Sequence, residues 1–226
     1  MAQVTDAAII GVGYHKFGIF PDKALQDLVL GCVTEALESA SIGIKEIDLL
    51  FFADATAMLI GRHCTPPQYV SDHLGLSPKP AIRIESACTS GANALREAAA
   101  NIMSGFCNVA LVVAAEKIDF PGRENVYRFS TGISDEDYGT ISDIPGPGPS
   151  ALYATRHMYE FGTTEEQLAS IAVKSRNYGA GNPYARFYKQ TITLEEVMAS
   201  PYVVYPLKLP EVNPISDGAC AAILCR

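Results

Sequence analysis

The sequence predicts a layered α/β domain: a five-stranded sheet with helices on both faces and a long loop-rich insertion before the last strand. Three observations predict it. Apolar runs of strand length alternate with runs of helical period as far as residue 115. The alternation stops at Asp119, where Gly, Pro, Ser and Asp become frequent. It returns at residues 218–225 (GACAAILC), a final apolar run. The core is therefore expected over 1–118 and 215–226, with an insertion over 119–214.

Each element has a local reason. Ala7 to Val12 (AAIIGV) is a short apolar run expected to be a buried strand. Gly13 to Pro21 reads as a turn-rich loop. From Ala24 to Ala40, Leu25, Leu28, Val29, Cys32, Val33, Ala36 and Leu37 recur at helical spacing, with Asp22 as the expected N-cap. Ile47 to Ala53 (IDLLFFA) predicts a second strand. Pro67 to Leu74 predicts a short helix closed by Gly75. Ala81 to Glu85 predicts a third strand, and Ser90 to Ser104 a small-residue helix ending at Gly105. Val109 to Ala115 (VALVVAA) is apolar throughout, as a strand buried on both faces is. IPGPGPS, at 144–150, reads as irregular. Ser150 to Phe161 and Thr164 to Tyr178 predict helices, the second capped by Thr163 or Thr164 with Glu166 or Gln167 completing a capping box. A helical patch follows at Leu194 to Ala199.

The chain has 226 residues, 48% of them hydrophobic, which supports a sizeable core and excludes a largely disordered protein. Its net charge of −8 argues against broad binding to nucleic acid or anionic membranes, which requires basic patches. No apolar run reaches the ~18 residues of a membrane span, and Met1 to Asp6 lacks the basic flank of a secretory signal. Six cysteines, at 32, 64, 88, 107, 220 and 225, form no C-x-x-C pair. Cys32 and Cys107 lie in helix-like runs, Cys220 and Cys225 in a strand-like run, and all four read as buried. Free thiols fit a reducing cytoplasm.

Most motifs weigh toward structure. Gly11-Val12-Gly13 lacks the third glycine of a dinucleotide fingerprint, since Lys16 stands there, so a tight turn is expected. His63, Cys64 and His73 have the wrong spacing for a tetrahedral metal site, and no metal is expected. Lys174-Ser175-Arg176-Asn177 reads as a solvated basic helix face that could also meet an anionic group.

Cys88 is different. The stretch AIRIESACTSGANALR, residues 81–96, places a thiol where a strand ends and a helix begins. First-turn N–H groups and the helix dipole stabilise a thiolate there, which suits nucleophilic catalysis. The competing reading is a small buried hydrophobe, as many free cysteines are. Spacing alone leaves both open.

The residues around Cys88 resemble the thiolase family. ESACTSG with its small-residue helix, Ser104-Gly105-Phe106 and VALVVAAEKI resemble the family's nucleophile segment and next strand. The resemblance extends to Gly11 to Gly18 with Pro21-Asp22, to Ser150 to Tyr178, to Asn182-Pro183-Tyr184-Ala185 and to NPISDGA at 213–219. It is closest to acetyl-CoA acetyltransferases and lipid-transfer-protein-type thiolases, and it implies the family's N-terminal half, a layered α-β-α domain with a mixed five-stranded sheet. It implies that Cys88 carries an acyl group exchanged with coenzyme A, during Claisen condensation or thiolytic cleavage in lipid metabolism. The thioester is then a substrate, and no cofactor is permanently bound. It implies that the Cys88 N–H serves an oxyanion, that Gly91 keeps the helix start uncrowded, and that His157 and Met158 line the substrate's acyl pocket. It implies a homodimer through strand 81–85, with Ile82 and Ile84 near the twofold.

The family contains two similar halves, and the second carries the activating histidine and a second cysteine. Neither motif occurs before Arg226. The isolated chain is therefore expected to be inactive, needing a second half or partner subunit, and an OB-fold/zinc-ribbon acyl-CoA-binding protein is a further expected partner. An exposed apolar sheet face should mark where the second half belongs. The alternatives are a retro-aldol lyase on acyl-CoA and a non-catalytic assembly subunit.

Overall fold

The computed structural model describes residues 6–57, 65–118 and 146–226. The chain divides into two compact units, Met1–Pro121 with Ser216–Arg226, and Gly122–Ile215.

The first unit contains β1 (Ala8–Tyr14), α1 (Leu25–Ala40), β2 (Leu49–Ala53), α2 (Pro66–His73), β3 (Ala81–Ile84), α3 (Ser90–Met103), β4 (Val109–Glu116) and β7 (Gly218–Cys225). Its five strands lie in the order β1-β7-β4-β2-β3. β2 runs parallel to β3 and β4, while β7 is antiparallel to both β1 and β4, giving a mixed sheet. The final strand thus slots between the first and the fourth.

Two hydrophobic clusters sandwich this sheet. On one side Leu28, Val29, Cys32, Val33 and Ala36 of α1 and Val70 of α2 pack on Leu50, Phe52, Leu111, Val113 and Ile223. On the other side Ala94, Ala98 and Ile102 of α3 pack on Leu49, Phe51, Ala53, Ala110 and Val112. β2 contributes to both, and all five of its residues are buried.

The structure corrects several local expectations. Gly11 and Gly13 sit inside β1 rather than in a turn. A Cβ at Gly13 would lie 2.0 Å from the Cys32 carbonyl oxygen, and one at Gly11 would lie 2.3 Å from that of Ala36. These glycines let the strand lie directly on the α1 backbone. Their neighbours Val12 and Tyr14 point to the opposite face, where both are exposed. Asp22 does not cap α1; Asp27 turns back instead and accepts the Ala24 N–H at 2.8 Å. Cys107 lies past the end of α3, though it is buried as expected, whereas Cys220 and Cys225 are only half-buried. Five positions apart on β7, they point to opposite faces of the sheet.

Asp217, wholly buried, anchors both crossings out of this unit. Its carboxylate accepts the Ile118 and Phe20 N–H groups at 2.9 and 3.2 Å and pairs with Lys117 Nζ at 2.5 Å. Its backbone bridges that of Gly18 in both directions.

The second unit holds α4 (Gly148–Phe161), α5 (Glu165–Gly179), α6 (Leu194–Ala199) and a small hairpin of β5 (Tyr202–Val204) and β6 (Leu207–Lys208). Gly148, Pro149 and Ser150 of the glycine-proline stretch form the first turn of α4. Proline is tolerated there because a first-turn N–H has no helical acceptor. Thr164 caps α5, and Gln167 returns the bond to complete the box. Thr193 and Glu196 do the same for α6. Tyr202 donates its hydroxyl to Glu165 at 2.6 Å, pinning the hairpin to the start of α5.

Candidate active site

Cys88 lies in a 3-10 turn, Ala87–Thr89, between the C-terminal end of β3 and α3. Its thiol is exposed, which excludes the buried-hydrophobe reading. Ala87, just before it, has φ +49°. Non-glycine residues rarely adopt this left-handed conformation, and they hold it only when their surroundings impose it.

Side chains supply that constraint. The Ser90 hydroxyl accepts the Ser86 N–H at 2.9 Å and donates to the Ala87 carbonyl at 2.7 Å. Thr89 Oγ1 donates to the Ser86 carbonyl at 2.8 Å, and Asn93 Nδ2 donates to Ser86 Oγ at 2.6 Å. Glu85 accepts the Ala87 N–H at 2.8 Å. Among the described residues the Cys88 N–H has no acceptor. The segment therefore presents a sulfur and an unused amide donor beside one another.

Beneath the turn, the C-terminal ends of the parallel strands carry a charged platform, on the side of the sheet where open α/β domains place their sites. Asp54, following β2, is buried and takes a bidentate bond from Arg83 of β3, at 2.6 and 3.1 Å. The bond to the Asp54 carboxylate raises the titration of the Arg83 guanidinium further. Ser90 Oγ lies 3.3 Å from the Asp54 carbonyl, tying α3 to the same point. Glu116, at the end of β4, accepts the Ala55 N–H and the Thr56 hydroxyl. Burial pushes the Glu116 carboxyl above its ordinary range, against the opposing pull of those two donors.

Gly91 follows Ser90 in the first turn of α3, and among the described residues a Cβ there would meet Ala114 Cβ at an ordinary 3.7 Å. His157 and Met158 are neighbours on α4, in the second unit; His157 is exposed and Met158 half-buried. His157 Nδ1 lies 2.8 Å from Thr163 Oγ1, and its ring meets Phe161 at 4.7 Å. Arg176, from the basic patch, stacks 3.5 Å from the centroid of the Phe187 ring rather than standing in solvent, and desolvation lowers its titration. His73 bonds the Tyr69 carbonyl at 2.9 Å; His63 and Cys64 lie outside the described residues. No described helix is long and apolar enough to cross a membrane.

Sequence reasoning did not single out Arg83, Ser90 or Glu116. One signal could have found the carboxylates: Asp54, Glu85 and Glu116 each follow an apolar strand run, and parallel strands bring such ends to one side.

The fold and this turn together set an exposed cysteine at the mouth of a helix, at the end of a parallel strand in a layered α/β domain. Residues 3–204 match the family described as "Thiolase, N-terminal domain", and the chain belongs to the thiolase family. It is 35% identical over 223 residues to an acetyl-CoA acetyltransferase of Methanothermobacter thermautotrophicus, covering 97% of this chain and 57% of that protein. It is 32% identical to the benzoylsuccinyl-CoA thiolase subunit BbsB of Thauera aromatica, covering 96% and 54%. The chain thus spans a little over half the length of these relatives. Among solved structures, the Ltp2-ChsH2(DUF35) aldolase superposes with a TM-score of 0.74 at 24% identity, covering 97% of this chain and 55% of that one. The Acat5 thiolase from Ascaris suum in complex with coenzyme A gives 0.70 at 17% identity, covering 98% and 66%. At these identities the structures establish the shared fold.

Proposed function

We propose that this chain is the nucleophile-bearing half of a thiolase-type acyltransferase acting on coenzyme A thioesters. The observation that carries the reading is the exposed Cys88 held on its constrained turn with its own N–H unengaged. The Cys88 thiolate attacks the thioester carbonyl. A tetrahedral oxyanion forms, and the carbonyl re-forms as the coenzyme A thiolate departs, leaving the acyl group on Cys88. The Cys88 N–H points a donor at the developing oxyanion; a preorganised donor of this kind is worth about 3–4 kcal/mol. The acyl group then passes to a carbon nucleophile or back to coenzyme A. A base is needed to ionise the thiol and move the α-carbon proton, and in this reading a second half or partner subunit supplies it.

The uncovered part of the sheet supports that requirement. Ile9, Val12 and Tyr14 of β1 are exposed large apolar side chains, and α3 packs over the β4-β2-β3 side. An apolar sheet face of this kind fits coverage by another α/β layer. β3 is an edge strand with Ile82 exposed, which supports a homodimer formed by pairing these edges. His157 and Met158 are proposed for the acyl pocket on the strength of the family resemblance, and an OB-fold/zinc-ribbon acyl-CoA-binding partner on the same ground.

The test is peptide mass spectrometry after incubation with acetyl-CoA, with and without a separately produced second half. The expected result is an acyl adduct on Cys88, abolished in Cys88→Ser, and carbon–carbon bond formation only when the second half is present. Absence of the adduct with both halves present would overturn the reading. Turnover that survives Cys88→Ala would instead support a retro-aldol lyase, and an assembly subunit would show neither adduct nor turnover.

A further inference from the structure

We propose that Ser90 is a positioning residue that holds the nucleophile turn in its left-handed geometry and so aims the Cys88 sulfur. This rests on the acyl-transfer role of Cys88. Ser90 is the buried member of the turn, with only 5% of its surface exposed. Its single hydroxyl reaches both flanks of the cysteine. It accepts the N–H of Ser86, two residues before Cys88, and donates to the carbonyl of Ala87, immediately before it. Its oxygen also sits 3.3 Å from the Asp54 carbonyl, so the clamp is referenced to the end of a fully buried strand.

The consequence follows from the backbone. Ala87 at φ +49° carries the steric penalty of a Cβ in the left-handed region, and relaxation toward a negative φ would swing the next residue. Cys88 is that next residue, and its own side chain makes no hydrogen bond among the described residues that could hold it. The surrounding ties through Thr89, Asn93 and Glu85 converge on Ser86 and Ala87. Among the described residues, Ser90 alone has a side chain that bonds both ends of the Ser86–Ala87 unit. Its loss would leave the Ser86 N–H without its acceptor, and the Ala87 carbonyl would keep the Ser90 backbone N–H but lose the hydroxyl that ties it to Ser86.

The experiment compares wild type, Ser90→Ala and the double variant Ser90→Ala/Ala87→Gly, each combined with the second half. Cys88 acylation by acetyl-CoA is followed by mass spectrometry, and folding by urea unfolding. Misplacing a reacting atom by about an ångström costs on the order of 100-fold. Ser90→Ala is therefore expected to slow acylation by about 10- to 100-fold in protein that remains folded. Glycine adopts the left-handed conformation without penalty, so the double variant is expected to recover part of the rate, an interaction that a purely structural role for Ser90 would not produce. Acylation of folded Ser90→Ala within about twofold of wild type, or no recovery on adding Ala87→Gly, would overturn the proposal. Amide hydrogen exchange at Ser86 separates this from failure of the acyl-transfer reading. If no protein is acylated yet Ser86 exchanges faster in Ser90→Ala, the clamp stands and the chemistry assigned to Cys88 falls. If exchange is unchanged, the clamp falls on its own account.

Discussion

Replacing Gly13 with alanine tests the contact that seats α1 on the sheet. The added methyl would lie 2.0 Å from the Cys32 carbonyl oxygen and 2.7 Å from the Ala36 amide nitrogen. Both are backbone atoms of one helix, so no side-chain rotation relieves the clash. Restoring an ordinary 3.4 Å contact requires α1 to retreat by about 1.4 Å. That retreat opens the layer filled by Leu28, Val29, Cys32, Val33 and Ala36, all buried. A gap of even 0.5–1 Å forfeits about a quarter to a half of each contact's attraction. Overpacking of side chains costs about 1–3 kcal/mol; a clash between backbone elements belongs at or above the top of that range. Gly13→Ala is therefore expected to destabilise the chain by at least about 3 kcal/mol, a large share of the total of about 5–15 kcal/mol typical of a domain. Urea unfolding followed by far-ultraviolet circular dichroism measures it. Gly91→Ala is the internal control: its methyl would meet Ala114 Cβ at 3.7 Å in a helix, so it should be neutral or stabilising by up to about 1 kcal/mol. A Gly13→Ala chain within about 1 kcal/mol of wild type would refute the seating argument.

Three further outcomes are expected. Asp217→Ala removes the buried carboxylate that Lys117 and two backbone N–H groups share; removing one partner of a buried pair costs about 3–5 kcal/mol, and a loss below about 1 kcal/mol by denaturant titration would contradict it. Because folding raises the Glu116 titration, the native state holds that proton more tightly than the unfolded chain. The resulting stability is present below the ordinary carboxyl range and is lost as pH rises through the folded value. Glu116→Gln should therefore gain on wild type as pH rises from that range toward neutrality, and a difference that stays flat with pH would count against burial as the cause. Thr164→Ala removes the α5 cap and should cost about 1 kcal/mol, read from the thermal midpoint.

Much of the sheet was legible because its strands announce themselves locally. The runs at 49–53, 109–115 and 218–225 are apolar enough that burial on both faces is the simplest arrangement for them, and the helices between carry a 3.6-residue stripe. The Thr164–Gln167 box was legible for the same reason, since donor and acceptor lie three residues apart. Cys88 was visible as a candidate, because the change from strand to helix around it is a local pattern.

Contacts between residues distant in sequence were decided by tertiary structure. Gly11-Val12-Gly13 looks like a turn until the helix that begins twelve residues after Gly13 lies against it, and the close approach needs the missing Cβ atoms on the strand's inner face. Asp54, Arg83, Ser90 and Glu116 are unremarkable singly; parallel pairing brings their strand ends together. Exposure of the Cys88 thiol was decided the same way. The sequence by itself determined which segments become strands and helices, because periodicity and capping act over a few residues. Which groups converge around the thiol was settled only when the chain closed on itself, because hydrogen bonds and ion pairs depend on distance in space.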